Sequence, residues 1–447
     1  MTQFSLNRRS WLVSLFLLAC LLFSSCSLLD HAQPNPQSQI RVPAEWEEQE
    51  SVWMAWPAFS NKHDWSAPDT YAHLLTGLLP TVRVDLCVTD ANMQEEVTAF
   101  LLSKGIAQTL IENQLKFHTI NYVDMWLRDT GPIFIKDGNT RKAVDFQFNA
   151  WGWGPYVTLP GFASSMATEE TVDRQISESL NIPHISSSMI MEGGALEFNG
   201  KGTVIVSEDV VFQRNPTWSK SQVETEFARL FNTQKVIWVK GTLGNDAHPV
   251  LHAPFAVPFG NSTQPVYTLL TTNGHTDEFV RFINSNTVLL AETPTEQEAA
   301  ANPIVAKSRQ LLLNVREVLA HSTDQDGQPF QIIDFPEVKP IYVDLDGQDE
   351  MFNLMVTLDY TLVGKTNIDP KGMKGVLAAS YLNFLVINNL VLVAQYGGLS
   401  ADMAVNDVKA IHLLQQSFPG KQVMGFDVRA INVGGGGIHC ITRQMPR

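Results

Sequence analysis

The sequence predicts a mixed α/β protein built as one large domain, on three observations. Of 447 residues, 44% are hydrophobic, 17% charged and 9% aromatic, which suits a large packed core and excludes disordered or collagen-like chains. Short apolar strands recur along the chain with helical patterns between them. Between Glu45 and Pro446 no stretch has the composition of a domain linker, although length alone would suggest several domains.

The strands fall at Val82–Val88, Thr203–Ser207, Val236–Val239, Val288–Ala291, Phe384–Ile387 and Leu390–Val393. Helical periodicity marks Thr168–Leu180, Lys220–Leu230 with Val223, Phe227 and Leu230 on one face, Glu296–Leu319 and Met403–Gln416. Two stretches interrupt this order and read as long loops. Gly241–Thr272 carries Pro249, Pro254, Pro258, Gly260 and Pro265, and His321–Lys374 is rich in Asp, Pro and Gly. Within the second, the carboxylates of Asp344–Glu350 lack the glycine and glutamate placement of an EF-hand loop and read as a solvated turn.

Residues 1–25 read as an export signal: Arg8 and Arg9 precede the apolar run Trp11–Phe23, and Ser24 and Ser25 lead into Cys26. At about 1.5 Å per residue that run is too short to span a hydrocarbon core of about 30 Å. The segment Leu22-Phe23-Ser24-Ser25-Cys26 resembles a bacterial lipobox with Phe23 in place of the usual Leu, which implies lipidation of Cys26. Its rival, Leu17-Leu18-Ala19-Cys20, would leave Leu21-Leu22-Phe23 on the mature chain. Residues 26–40, with Pro34 and Pro36, read as a flexible tether and 41–447 as the folded domain. The expected location is therefore outside the cytoplasm, periplasmic or held to a membrane only by the N-terminal lipid.

Lys plus Arg number 31 against 46 for Asp plus Glu, a net charge of -15, so no global positive field exists to draw in nucleic acid. The same excess favours a small cationic ligand. Of four cysteines only Cys87 and Cys440 lie in the folded part, which limits disulfides to one. Cys87, in an apolar strand pattern, reads as a buried inert thiol. Cys440 follows Gly434-Gly435-Gly436-Gly437-Ile438-His439 and is either a nucleophile beside a flexible glycine run or part of a plain turn.

Two further segments concentrate reactive side chains. Asp124-Met125-Trp126-Leu127-Arg128-Asp129 precedes a Gly131-Pro132 stop, and Gly274-His275-Thr276-Asp277 would put His275 and Asp277 on one face of an extended strand. Each has a structural alternative, an Arg128–Asp129 ion pair and a hydrogen-bonded core histidine. Close-spaced metal-ligand pairs are missing, so no metal is expected. A thiolate, a histidine and two carboxylates suit attack on an electron-poor carbon flanked by cationic nitrogens, with the acids gripping a guanidinium. A peptide bond offers no cation for those acids, and the order Asp129, His275, Asp277, Cys440 differs from that of papain-like proteases.

Eight ordered motifs resemble the agmatine deiminase family, which includes the bacterial peptidylarginine deiminases. They are Pro43-Ala44-Glu45-Trp46 with Trp53-Met54-Ala55-Trp56-Pro57, Trp126 to Pro132, Phe148-Asn149-Ala150-Trp151-Gly152, Glu192-Gly193-Gly194, Arg214-Asn215-Pro216, Gly274 to Asp277, Ser380-Tyr381-Leu382-Asn383-Phe384 and Gly436 to Thr442. The resemblance covers residues 41–447 and implies the pentein fold, five ββαβ units in a closed propeller around one central site, within a single domain. It also implies Cys440 as nucleophile, His275 as general acid and base, and Asp129 and Asp277 as guanidinium clamps. Trp126, Asn383 and Gly437 would line the pocket. Glu192 would orient neighbours or substrate, or else be a strand-end acid satisfied by the glycines after it.

The implied reaction is hydrolysis of agmatine to N-carbamoylputrescine and ammonia through a thiouronium on Cys440, a polyamine-forming step without a cofactor. Deimination of arginine in peptides is the alternative that export favours. The segment Gly241–Thr272 before the His-x-Asp motif, and Trp151 to Tyr156, are candidate rim elements that would bear on that choice. A lipid-anchored guanidine-binding protein without turnover is the reading from another class, and its signature would be loss of the cysteine or histidine, both of which are present.

Overall fold

The computed structural model describes residues 39–57 and 61–447, so the expected export signal, Cys26 and the expected tether up to residue 38 lie outside the described residues. One connection is used five times: an antiparallel pair of strands, a helical crossover, and a third strand parallel to the second. Two parallel neighbours cannot be joined by a hairpin, which is why a helix stands between them each time.

Ile40–Arg41 forms β1, a two-residue edge strand. The first unit contains β2 (Gln49–Ala55) and β3 (Arg83–Val88), parallel and joined by the helix Ala67–Leu78, with β4 (Leu115–Thr119) beyond them. The second contains β5 (Ile133–Asp137), β6 (Thr140–Gln147) and β7 (His184–Ile190), with β1 on its edge. β8 (Leu196–Phe198), β9 (Thr203–Ser207) and β10 (Lys235–Val239) make the third, and β13 (Val280–Phe282), β14 (Thr287–Ala291) and β15 (Gln331–Phe335) the fourth. β18 (Leu385–Ile387), β19 (Leu390–Ala394) and β20 (Gln422–Phe426) make the fifth. The first unit lacks its antiparallel strand until the chain's end supplies it: β21 (Arg443–Pro446) pairs with β2 at Val52↔Gln444 and Trp53↔Arg443. This is the pentein arrangement of ββαβ units.

The helices follow their local chemistry. Lys220–Phe231 opens with a capping box between Ser219 and Gln222 and buries Val223, Phe227 and Leu230, the three residues whose spacing predicts it. The run Glu296–Leu319 is two helices, Glu296–Ala301 and Pro303–Ala320, because Asn302 is extended before the proline and its side chain caps the N–H of Ile304. Thr168–Leu180 likewise divides, between Phe162–Glu169 and Val172–Ser179.

The two expected long loops are a correction. Gly241–Thr272 contributes β11 (Phe255–Phe259) and β12 (Ser262–Thr268), and His321–Lys374 contributes β16 (Tyr342–Leu345) and the first half of β17 (Met373–Val376); together they form a four-stranded sheet of order β11-β12-β17-β16. Pro258 lies on edge strand β11, and Pro265 on a stretch of β12 that faces only β11, since pairing with β17 begins at Val266. Neither proline therefore breaks a two-sided ladder. The expected solvated turn also differs: Asp349 is 1% exposed and accepts the His63 and Asp346 backbone N–H groups, each at 3.0 Å.

A short segment leads into the first strand of each unit, and each such segment carries a residue singled out from the sequence. Asp129 precedes β5, Glu192 precedes β8, Asp277 precedes β13, Asn383 precedes β18 and Cys440 precedes β21. Deleting Arg443–Arg447 removes the antiparallel partner of β2 while leaving Cys440 in place. The expected outcome, by calorimetry, is loss of the single cooperative unfolding transition; a truncated chain melting like the full one would show that the unit stands without its closing strand.

Candidate active site

Asp129 lies in a one-turn helix, Leu127–Thr130, that ends at Gly131. Arg128 turns away from it and bonds Glu45 at 3.2 Å and Gln444 at 2.6 Å, so the two do not pair. The Asp129 carboxylate instead accepts the Trp151 indole N–H at 2.8 Å and the Gly194 N–H at 3.0 Å. Trp151 is aimed there by a strained turn, with Ala150 at φ 55 and Trp151 at φ 50, both left-handed without being glycine. Gly194 must be small, because a Cβ there would stand 2.5 Å from His275 Nδ1.

His275 is fully buried, with Nδ1 3.8 Å from Asp129 Oδ1 and Nε2 3.6 Å from Glu192 Oε2. Its loop is held from below by Asp246, which accepts the N–H groups of Thr272 at 2.8 Å, Gly274 at 2.8 Å and His275 at 3.1 Å. Asp246 belongs to Gly241–Thr272, so that segment braces the histidine from beneath. Glu192 is bonded by Arg214 Nε at 2.8 Å with both side chains fully buried, and the glycines after it do not satisfy it. Its Oε2 has no hydrogen-bond partner.

Cys440 is carried by the turn after the glycine run. Asn383 holds that turn: its Oδ1 accepts from the His439 N–H at 2.8 Å and its Nδ2 lies 3.1 Å from Cys440 Sγ and 2.9 Å from Glu278 Oε1. A Cβ on Gly437 would come within 2.6 Å of Asn383 Oδ1, and one on Gly436 within 2.7 Å of the Trp126 ring, so the glycines let Asn383 and Trp126 close on the cysteine. Sγ is 3.7 Å from Asp277 Oδ2 and 3.7 Å from Glu278 Oε1. Asp277 Oδ2 also meets His439 Nδ1 at 2.6 Å, while Oδ1 has no partner.

The electrostatics follow from crowding acids in a dry space. Burial opposes a charged imidazole, yet Asp129, Glu192 and Asp277 push the His275 pKa up to about 9. Burial would raise Glu192, but Arg214 and His275 draw it down to about 2. Burial, then Asp277 and Asp246, hold Glu278 well above the carboxylate range, and burial with Asp277, Glu278 and Asp129 does the same to the Cys440 thiol.

The structure thus gathers Asp277 and Asn383 at the Cys440 sulfur and Asp129 and Glu192 at the His275 imidazole, the two groups close enough for Asp129 and Asp277 to act on both, with Trp126 packed on the glycine run. Trp151, expected at the pocket rim, is instead buried on Asp129, and Glu278, Arg214, Asp246 and His439 carry no role in the sequence reading. All but Asp246 lie in or next to the quoted motifs, which was the available signal. Among the described residues two acid-rich triplets bring ligand atoms within 4.8 Å of one another, His63, Asp64 and Asp349, and Asp277, Glu278 and Cys440. In the second, His439 and Asn383 already occupy the oxygens that face the sulfur.

The family model of Porphyromonas-type peptidyl-arginine deiminase matches residues 41–267 and 263–446. A Marinomonas sp. (strain MWYL1) protein named "Putative agmatine deiminase" is 30% identical over 414 residues, 91% of this chain and 94% of that one. The agmatine deiminase of Medicago truncatula is 27% identical over 423 residues, 91% of this chain and 96% of that one. A solved agmatine deiminase of Enterococcus faecalis superposes with a TM-score of 0.69 at 24% identity, covering 92% of this chain and 96% of that one.

His275 should keep its proton until the pH passes about 9. Because this pKa is raised above the ordinary value of about 6.5, the linked stabilisation is complete below that pH and is lost as pH rises through the folded value. In Glu192→Gln, with a negative neighbour removed, the His275 midpoint read by NMR should fall and the alkaline loss of melting temperature should shrink. A midpoint unmoved by this substitution would remove Glu192 from the field at His275.

Proposed function

The chain belongs to the Porphyromonas-type peptidyl-arginine deiminase family, and on that premise we propose that it hydrolyses agmatine to N-carbamoylputrescine and ammonia. The observation that carries this reading is a set of buried atoms with no partner: His275 Nδ1 and Nε2, Asp277 Oδ1 and Glu192 Oε2. Buried polar groups are almost always paired, so such a cluster marks where a ligand makes the missing bonds. A flat cation with N–H donors on its edges answers carboxylate oxygens, and the sulfur beside Asp277 is placed to reach its central carbon.

The geometry performs the reaction in four steps. Asp129 and Asp277 grip the guanidinium by charge-assisted hydrogen bonds. Its positive charge offsets the acids that hold the thiol neutral, and the sulfur adds to the carbon as the C=N π pair moves onto nitrogen. His275, protonated at neutral pH, gives its proton to the departing ammonia. The neutral imidazole then takes a proton from water, whose oxygen attacks the thiouronium and releases the ureido product and the sulfur.

Two readings accompany this one. Peptide arginine as substrate is supported by the predicted export. Export itself, with a lipid on Cys26 and attachment to a membrane only through it, is supported by the lipobox-like segment; among the described residues no helix is long and apolar enough to cross a membrane. The mass of the mature N-terminus tests the lipid.

Purified protein supplied with agmatine, free arginine or a C-terminal arginine peptide should release ammonia from agmatine; release from the peptide alone overturns the agmatine assignment. Cys440→Ala should lose at least about a thousandfold in kcat. Trp151→Phe strips a donor from Asp129 and should raise the agmatine KM, at a cost of about 1–3 kcal/mol. An unchanged KM would mean that the indole does not hold the clamp.

A further inference from the structure

One proton is left over by this mechanism. At neutral pH His275 is already protonated, so it cannot receive the proton that Cys440 surrenders as its sulfur adds to carbon. Of the two carboxylates 3.7 Å from Sγ, Glu278 is held at Oε1 by Asn383, with burial and Asp277 favouring its neutral form, whereas Asp277 Oδ2 also meets the His439 imidazole that leads onward, which makes Asp277 the acceptor.

Behind Asp277 the contacts continue in one line. Oδ2 meets His439 Nδ1 at 2.6 Å, and His439 Nε2 meets Glu45 Oε1 at 2.7 Å. The Asp277 and His439 side chains are 1% and 2% exposed, whereas that of Glu45 is 24% exposed. Glu45 lines a small cleft of about 50 Å³ together with Arg128, Glu197 and Arg443. Each short N···O contact requires a proton and a neutral imidazole brings only one, so the line has room for one transferable proton. Arg128 and Arg281 both bond Glu45, and Glu197 and Arg443 face it as well. Burial and those two arginines push the His439 pKa down; burial would raise Glu45, but His439, Arg281 and Arg128 hold it well below the usual carboxylate range, so neither group keeps a proton that reaches it and the proton goes on to water.

We propose that Asp277, His439 and Glu45 form a relay that carries the Cys440 thiol proton out of the cavity to solvent at Glu45. The S–H bond breaks as Asp277 Oδ2 takes the proton and hands it to His439 Nδ1. The Nε2 proton of His439 moves to Glu45 and then to water, while the sulfur electron pair becomes the C–S bond. When hydrolysis frees the sulfur, a proton returns by the same line. Glu45 and His439 stand in Pro43-Ala44-Glu45-Trp46 and in the turn of Cys440, and neither is among the groups assigned to grip the guanidinium.

The relay rests on Cys440 being the nucleophile, and two independent readouts test it. In the exported-length chain, alkylation of Cys440 by iodoacetamide at pH 7 is followed by mass spectrometry, and ammonia release from agmatine gives kcat and KM. Glu45→Gln should slow both alkylation and kcat by at least about tenfold with KM unchanged, while the melting temperature falls because Arg128 and Arg281 lose a charged partner. Glu45→Ala should behave alike and recover when formate is added, since formate fits the space of the lost carboxylate. Glu45→Gln with wild-type alkylation and kcat overturns the relay and leaves the deiminase reading intact. Loss of kcat together with raised KM and no formate rescue also overturns it, making Glu45 a merely structural anchor. If wild type releases no ammonia from any guanidine while alkylation still depends on Glu45, the deiminase reading fails and the relay stands.

Discussion

Acids crowded into a dry cavity are the constraint on which the rest of this molecule turns. Asp129, Asp277 and Glu278 are buried about one thiol and Glu192 beside His275, and ionised carboxylates so placed are costly unless each is answered. Glu192 is answered by Arg214 and Asp277 by His439; Asp129 takes the Trp151 and Gly194 N–H groups, and burial and Asp277 favour the neutral form of Glu278. What remains is a space still short of positive charge. A guanidinium completes it, and the same completion lowers the barrier to ionising a sulfur that the acids otherwise hold as a thiol.

The fold makes that crowding possible by using one device five times. A segment leading into the first strand of each unit reaches the centre, and the reactive groups come from five such segments far apart in the chain. The last of them depends on closure: Cys440 stands just ahead of β21, and β21 exists as a strand only through β2. Closure also brings the N-terminal Glu45 against His439, a contact between residues 394 apart. Cys440 and the groups behind it are therefore held by the pairing of the two chain ends.

The additional four-stranded sheet has a similar consequence. By pairing β12 with β17 it fixes Gly241–Thr272, and that segment delivers Asp246 to the underside of the His275 loop. A stretch that looks dispensable along the chain is thereby a support for His275.

Local periodicity was enough to place β9 at Thr203–Ser207 and the helix Lys220–Phe231, because strand alternation and helix spacing are set by neighbours a few residues away. Residue chemistry was enough to single out Cys440, His275, Asp129 and Asp277, since few side chains other than a thiol and an imidazole can add to carbon and move a proton. The pairing of β12 with β17, the approach of Asp246 to His275, and the line from Cys440 through His439 to Glu45 were not legible. Each joins groups whose separation in sequence exceeds the reach of any local pattern, and carboxylates such as Asp246 and Glu45 look like solvated acids until their partners are seen. The order of residue types along the chain determined which chemistry was available; only the closed packing of the units decided which groups lose their water together, and with it their charge.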